Sequence, residues 1–175
     1  MKITTSAAVA ASRDQVFTAL NDRDVLRRCI PGCEELTDVD QETFAVQLKL
    51  GVAGIKGKYA GTATQQDLQP PESFTFVLDG KGKTGFVRGT AAVRIVTEAG
   101  MSRVDCEADV QIGGAIAAVG SRLIGAVARK LTKDFFRQFA ATIGAQPVEA
   151  PGEEDEHEEE AAGEPAVRGR DDLLE

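Results

Sequence analysis

The chain has 175 residues, about the length of one domain with a tail, and a formal net charge of −8. No window offers the roughly 18 uninterrupted apolar residues that a membrane-spanning helix needs, and the first residues lack the apolar core of a secretory signal. Three cysteines, an odd number, fit a reducing compartment better than a disulfide framework, so we expect a cytoplasmic protein.

The charge is divided unevenly along the chain. Residues 149–175 hold twelve acidic and two basic side chains, whereas residues 1–148 hold sixteen acidic and eighteen basic ones. The acidic end is rich in Glu, Pro, Gly and Ala and has no Phe, Tyr or Trp, a composition typical of disordered segments. The sequence therefore predicts a nearly neutral domain over residues 1–143 and a disordered acidic tail over residues 144–175.

The N-terminal part predicts one strand followed by two short helices. Apolar and polar residues alternate over Lys2–Val9, which is typical of a half-buried strand. Ser12 is a helix N-cap for Arg13–Leu20, with Gln15 at the capping-box position. A second short helix is expected over Asp22–Arg28, and Pro31-Gly32 ends it.

From Glu34 onward the hydrophobic period changes to two, which indicates strands. The alternation is clearest over residues 44–50, 55–63, 74–78, 91–95 and 104–112, with turns near 69–71, 80–85 and 98–100. One face of each strand is apolar, so the pattern predicts an antiparallel meander with one buried face.

A long amphipathic helix is predicted over Gly114–Ile143. One arc of this helix is apolar, and the other carries a basic stripe of Arg122, Arg129, Lys133 and Arg137. Gly and Ala crowd its N-terminal half, where they leave room for a closely packed backbone or for a hollow. A helix gripped by a curved antiparallel sheet buries both apolar surfaces, so we predict an α+β fold of this kind.

The sequence offers little for catalysis or metal binding. His157, the single histidine, lies in the acidic tail, and Cys29 and Cys33 lack the second ligand pair of a zinc site, so they are either structural thiols or a redox pair. The run Gly80–Gly85 matches G-x-G-x-x-G, but strand-like residues follow it where a dinucleotide site needs a helix, so we predict a flexible hairpin at a cavity mouth. We assign no catalytic residue and no metal ligand.

Several segments in unbroken order carry a resemblance to a known family. They are VFTALNDRDVLRRCIPGCEEL, GVAGIKGKYAG, GKGKTGFVRGTAAV, ADVQIGGAIAAVGSRLI and KLTKDFFRQF. Over residues 1–143 the chain resembles the carbon monoxide dehydrogenase G-subunit family, within the START-like, helix-grip superfamily. The resemblance implies a curved antiparallel sheet around an apolar cavity that the C-terminal helix closes. It also implies an accessory role beside a molybdenum hydroxylase of CO dehydrogenase type, linked to the membrane and to quinone.

With that resemblance, the small residues favour a cavity over close packing. Strand parity, the helix arc and neighbouring positions then predict a ligand-binding wall of Phe44, Val46, Leu48, Phe76, Leu78, Phe86, Ala91, Val93, Ala108, Val110, Ile116, Gly120, Leu123 and Val127. The outer face of the helix is either a contact surface for an anionic membrane or an ordinary solvated face; the expected contact residues are Arg122, Arg129, Lys133, Phe136 and Arg137. In the tail, Leu173 and Leu174 are the expected docking residues for the hydroxylase, although a tail that only keeps the domain soluble fits almost as well.

Three functions follow from these expectations. The first is a carrier that binds a hydrophobic molecule, a quinone above all, and links the hydroxylase to the inner face of the cell membrane. The second is a ligand-free assembly or anchoring factor, and the third is a helix-grip enzyme acting on an apolar substrate. The lack of a buried acid, base or metal set counts against the enzyme. We expect no covalent cofactor and no nucleic-acid partner.

Overall fold

A computed structural model of the protein describes residues 1–52, 54–146 and 148. In chain order, the elements are β1 (Lys2–Val9), α1 (Arg13–Leu20), α2 (Arg23–Cys29), β2 (Cys33–Asp38), β3 (Thr43–Leu50), β4 (Gly57–Gln69), β5 (Ser73–Gly82), β6 (Gly85–Glu98), β7 (Met101–Gly113), a 3₁₀ segment (Ala115–Val119) and α3 (Ser121–Thr142). This α+β order of one strand, two short helices, a run of strands and a long helix is the predicted one.

The seven strands form one antiparallel sheet in the order β1-β7-β6-β5-β4-β3-β2. Strands β2 to β7 are a meander, and β1 joins the far edge by pairing with β7, so that Ile3 lies opposite Ala108. The predicted hairpin at Gly80–Gly85 is confirmed, because Gly82 pairs with Gly85 at the end of β5 and β6. The curved sheet grips α3, which confirms the predicted helix-grip fold.

Local side-chain caps begin both short helices. The Ser12 hydroxyl accepts from the Gln15 amide at 3.2 Å, and the Asp22 carboxylate accepts from the amides of Asp24 at 2.8 Å and Val25 at 3.2 Å. These bonds satisfy amides that the first helical turn leaves without partners. The Gln15 side chain does not complete the predicted capping box. It reaches the Ile143 carbonyl at 3.4 Å instead, and thus links α1 to the end of α3.

The prediction of one continuous helix over Gly114–Ile143 is wrong at its N-terminal end. The chain forms a 3₁₀ segment over Ala115–Val119, and α3 starts only at Ser121. Gly114 and Gly120 stand on either side of the 3₁₀ segment with φ of 80° and 91°, a left-handed conformation that breaks an α-helix. The remaining helix of 22 residues is ~33 Å long.

The main core lies at one end of the sheet, where aromatic residues fill the space under the short helices. Phe139 from the C-terminal half of α3 is fully buried, and Phe17 meets Phe74 edge to face with ring centroids 5.6 Å apart. A second cluster joins Leu26 and Leu36 to Phe44 and Ala63. This end of the domain is therefore packed with large side chains.

Candidate functional site

The other end of the sheet encloses an apolar cavity of about 460 Å³ beneath the N-terminal half of α3. Strands β1, β3, β4, β5, β6 and β7 supply one side of the wall, and the 3₁₀ segment and α3 supply the other. The volume falls in the range of ~300–1,000 Å³ that is usual for small-molecule sites. The wall is almost entirely apolar, and the cavity is partly open to solvent.

The change from a packed to a hollow interior follows the side chains along α3. Ile124, Val127 and Leu131 line the cavity, whereas Phe135 and Phe139, one and two helical turns further on, pack in the core. The facing β7 contributes Ala108 to the cavity. Aliphatic and small residues over this length of helix leave space that the phenylalanines fill at the other end.

Gly61, another small residue of the wall, has a different reason to be small. A Cβ on this residue would lie 2.5 Å from the carbonyl oxygen of Asp79 and 2.8 Å from the Cα of Gly80 on the neighbouring strand. Real side chains do not tolerate such contacts, so glycine allows β4 and β5 to approach closely here. Both alternatives left open by the sequence therefore occur: some small residues border space, and others permit close backbone packing.

Several polar side chains of the wall already have partners within the protein. The Tyr59 hydroxyl donates to the Ile55 carbonyl at 2.6 Å and lies 2.8 Å from the Thr84 hydroxyl. The Thr132 hydroxyl donates to the Ala128 carbonyl at 2.8 Å. Burial raises the pKa of the Cys106 thiol, and a hydrogen bond with Thr5 offsets part of that rise. The wall therefore presents a mostly apolar surface on which the Tyr59 and Thr132 hydroxyls already donate to protein carbonyls.

Three chain segments meet at one end of the cavity. The β3–β4 connection contributes Ile55 to the wall, and its Gly54 lies so close to α3 that a Cβ would be 2.9 Å from the Leu123 side chain. The Ile116 amide, at the start of the 3₁₀ segment, donates to the Thr84 carbonyl in the β5–β6 turn at 2.9 Å. Tyr59 connects the β3–β4 connection to the β5–β6 turn through its bonds to Ile55 and Thr84.

Half of the predicted ligand-binding set lies at the cavity. These residues are Val46, Leu48, Leu78, Ala108, Val110, Ile116 and Val127. Each of them lies at an alternate, apolar position of a strand or on the apolar side of the predicted helix, which are the patterns from which the set was predicted.

The other predicted wall residues do not border the cavity. Phe44 and Phe76 pack edge to face with ring centroids 5.9 Å apart inside the core, and Val93 is buried in the main core cluster. Ala91 is also buried, directly opposite Phe76 on the neighbouring strand. The alternation of apolar residues along the strands predicted the correct face of the sheet for these four residues. It could not show whether a position on that face lies in the packed core or at the cavity.

Three further corrections concern residues at the ends of elements. The Phe86 ring lies beside Gly113, with the Arg88 guanidinium 5.0 Å from its centroid. Gly120 is exposed at the break before α3, and Leu123 is 39% exposed next to Gly54. None of the three borders the cavity.

The structure also adds wall residues that the prediction left out: Ile3, Thr5, Leu50, Ile55, Tyr59, Val87, Cys106, Ile112, Ile124, Ala128 and Leu131. Most of them share the strand parity or the helix arc of the predicted set, so the same signal could have found them. The contribution of β1 needed the pairing of β1 with β7, which no local pattern reveals.

The predicted basic stripe lies on the outer face of α3. Arg122, Arg129, Lys133 and Arg137 are all exposed, as expected. Phe136, the predicted aromatic membrane contact, is half-buried and packs on the main core cluster, and its ring centroid lies 5.7 Å from that of Phe139.

The cysteine, metal and tail predictions have separate outcomes. All three cysteines are free, and the Cys29 and Cys33 thiols contact different partners, the Thr142 hydroxyl at 3.6 Å and the Glu35 carbonyl at 3.5 Å.

Within residues 1–52, 54–146 and 148, no group of three or more His, Cys, Asp or Glu is placed to hold a metal ion. Over the same residues, no helix is long and apolar enough to cross a membrane. Leu173 and Leu174 lie outside the described residues.

A curved antiparallel sheet that grips a long helix over an apolar cavity defines a protein of the START-like, helix-grip class. A START superfamily protein from Mycobacterium smegmatis has this fold with a TM-score of 0.66 at 9% identity, covering 82% of this chain and 97% of that one. Protein Ms6760 from the same species has a TM-score of 0.63 at 17% identity, over 82% and 90% of the two chains. A conserved protein from Geobacillus kaustophilus has a TM-score of 0.78 at 26% identity, over 83% and 98%.

Within that class, the chain belongs to the carbon monoxide dehydrogenase G-subunit (CoxG) family, whose sequence model matches residues 6–144. The match spans nearly the whole described domain and confirms the resemblance seen in the sequence. No curated protein matches the chain at a significant level.

Proposed function

We propose that this protein is a non-catalytic carrier that binds an apolar molecule, a quinone above all, in the cavity under α3. It links a molybdenum hydroxylase of CO dehydrogenase type to the membrane. The observation that carries the proposal is the apolar cavity of about 460 Å³, held in a fold that belongs to the CoxG family. Family membership supports the hydroxylase as the partner.

The polar groups of the wall favour a ligand that is apolar along most of its length. Tyr59 and Thr132 already donate their hydroxyl protons to carbonyl oxygens of the protein. A polar ligand group placed deep in the cavity would therefore lose its bonds to water without replacement, which is unfavourable. We expect the prenyl tail of a quinone to lie inside, with the ring near the Tyr59–Thr84 pair.

The wall also argues against the helix-grip enzyme. Its titratable side chains among the described residues are Tyr59, Asp79 and Cys106. Asp79 is an exposed residue paired with Arg88 at 3.2 Å, and burial raises the pKa of the Cys106 thiol. This set offers no acid and base poised together on one substrate atom, which general acid–base chemistry requires.

Contact with the membrane is assigned to the outer face of α3. The helix carries five basic residues and one acidic residue, and the predicted stripe is exposed. Each basic residue near an anionic membrane surface contributes ~1 kcal/mol to binding. Co-sedimentation with phosphatidylglycerol vesicles at low salt tests this part. Protein that stays wholly in the supernatant, with or without the anionic lipid, would contradict it.

The ligand itself is tested by extracting the purified full chain with organic solvent and analysing the extract by mass spectrometry. The expected result is a near-stoichiometric apolar compound with a quinone ring. Ala108→Trp, which places an indole in the cavity, is the matched control and should lose that compound. An extract without any apolar compound, followed by no binding of added quinone, would favour the ligand-free anchoring factor.

A further inference from the structure

We propose that the acidic block Glu153–Glu160 docks on the basic face of α3 in the same molecule. We define this basic face by Arg122, Arg129 and Lys133 of α3 together with Lys2 of β1. The contact is intramolecular, and it does not depend on the ligand or on the hydroxylase.

The arginines and the lysine of α3 in the basic face form no ion pair with the described residues. Lys130 and Arg137 of α3 both pair with Asp134, at 2.7 Å and 3.6 Å. Among the described residues, by contrast, no carboxylate lies within ion-pair distance of Arg122, Arg129, Lys133 or Lys2. All four side chains are exposed. Uncompensated positive charges gathered on one surface attract an anionic partner.

Part of the basic face is a cleft of about 330 Å³ between β1 and α3. Lys2 borders it on β1, and Arg122 and Arg129 border it on α3. Gly125 lies between the two arginines in the sequence and also borders the cleft, where it adds no side chain of its own. A Cβ on Gly125 would lie 3.4 Å from the Arg129 Nη1, so the guanidinium passes directly over this residue.

The acidic block is a suitable occupant because of its charge. Seven of the eight residues of Glu153–Glu160 are Asp or Glu, whereas residues 1–148 carry a net charge of +2. Guanidinium groups bind carboxylates by short, charge-assisted hydrogen bonds. The two arginines of the cleft can therefore each bind a carboxylate of the block.

The chain length between helix and block also fits. The Ala145 amide donates to the Ala140 carbonyl at 2.9 Å, which fixes the chain to the end of α3. Measured from residue 148, an extended chain allows the block to reach ~17 Å at its start and ~43 Å at its end. Along α3, Lys133 and Arg122 lie ~14 Å and ~30 Å before Thr142 at the usual helical rise. The block can therefore lie along the whole basic face.

Attachment to the same chain raises the local concentration of the block to ~mM, so that even a weak contact is populated. Docking of this kind covers the surface assigned above to the membrane. A partner that takes up the tail would expose the basic face, and membrane contact would increase. This consequence rests on the proposed membrane contact, whereas the docking itself does not.

The docking is tested by ¹⁵N NMR on the full chain. In the test variant, every Glu of the block is changed to Gln and Asp155 to Asn. At ~50 mM salt, we expect the amide signals of residues 121–134 to differ between the two proteins, and at ~500 mM salt the difference should disappear because the charges are screened. The double variant Arg129→Glu/Lys133→Glu should remove the difference at low salt. The matched control Lys49→Glu/Lys58→Glu reverses two exposed, directly opposite lysines of β3 and β4 and should leave it unchanged.

Identical spectra at low salt would overturn the proposal, as would differences centred on Lys49 and Lys58. Differences that fade on dilution of the protein would also overturn it, because they would show a contact between two molecules. A second measurement uses phosphatidylglycerol vesicles, which the neutralised variant should bind more tightly than the natural protein, because its block neither covers the basic face nor repels the anionic surface. NMR differences without any vesicle binding would support the docking and contradict the membrane contact, so the two ideas fail separately.

Discussion

Replacing Ala108 with tryptophan tests whether the space under α3 is open to a ligand. Ala108 borders the cavity, whose volume of about 460 Å³ is roughly three times the ~150 Å³ that holds a benzene ring in a protein core. A buried Trp covers ~150–250 Å² of apolar surface, so at ~25 cal/mol per Å² its burial offsets the cost of ordering the ring. We expect Ala108→Trp to lower the free energy of unfolding by less than ~1 kcal/mol.

Ala91 is the matched control, because it lies directly opposite Ala108 on the neighbouring strand and is buried without bordering the cavity. It also lies opposite Phe76, so an indole at this position overpacks the core. Overpacking costs ~1–3 kcal/mol and occasionally more, and we expect Ala91→Trp to be destabilised by that amount. Urea denaturation of the two full-length variants measures the difference.

The same variants report on the ligand by fluorescence, since the natural sequence has no tryptophan. In Ala108→Trp the emission should be shifted to the blue, as for an indole in apolar surroundings. Binding of an added quinone that carries a short prenyl tail should be at least ~10-fold weaker than in the natural protein, equivalent to ~1.4 kcal/mol. If Ala108→Trp unfolds as readily as Ala91→Trp, the region around Ala108 is already packed. If Ala108→Trp binds the quinone unchanged, the cavity is not the binding site.

Three further predictions concern the core, the cavity thiol and the tail. Phe139→Ala should destabilise the protein by ~3–5 kcal/mol in urea denaturation, because Phe139 is fully buried, whereas Leu123→Ala, at a position 39% exposed, should cost far less. Burial raises the pKa of the Cys106 thiol, so the folded state favours the protonated thiol. This preference stabilises the folded state fully below the unfolded pKa of ~8.5, and the stabilisation is lost as the pH rises through the folded pKa. Iodoacetamide should therefore modify Cys106 more slowly in the folded than in the urea-unfolded chain, and equal rates would contradict the burial. Deleting Asp171–Glu175 should abolish co-purification with the hydroxylase while the quinone stays bound, and undiminished co-purification would place docking on the folded domain.

Local sequence patterns determined most of the secondary structure. The Ser12 cap and the alternation in β1 act within a few residues, so they could be recognised from the sequence, and the boundaries of α1 were predicted as they occur. The break at Gly120 was missed because the apolar arc continues through it, while the left-handed backbone that interrupts the helix depends on a single residue. Strand parity also showed which side chains face α3.

Tertiary structure alone decided where along the sheet the interior is hollow. Phe76 and Leu78 have the same parity on β5, yet Phe76 packs in the core and Leu78 lines the cavity, since two residues of strand separate the filled end from the open one. Ile3 joins the wall only because β1, at the start of the chain, pairs with β7, which is distant in the sequence. The alternation along a strand and the amphipathicity of a helix describe the direction of a side chain. The presence of a cavity depends instead on the sum of all the side-chain volumes that meet in one place, and these side chains come from residues far apart in the chain.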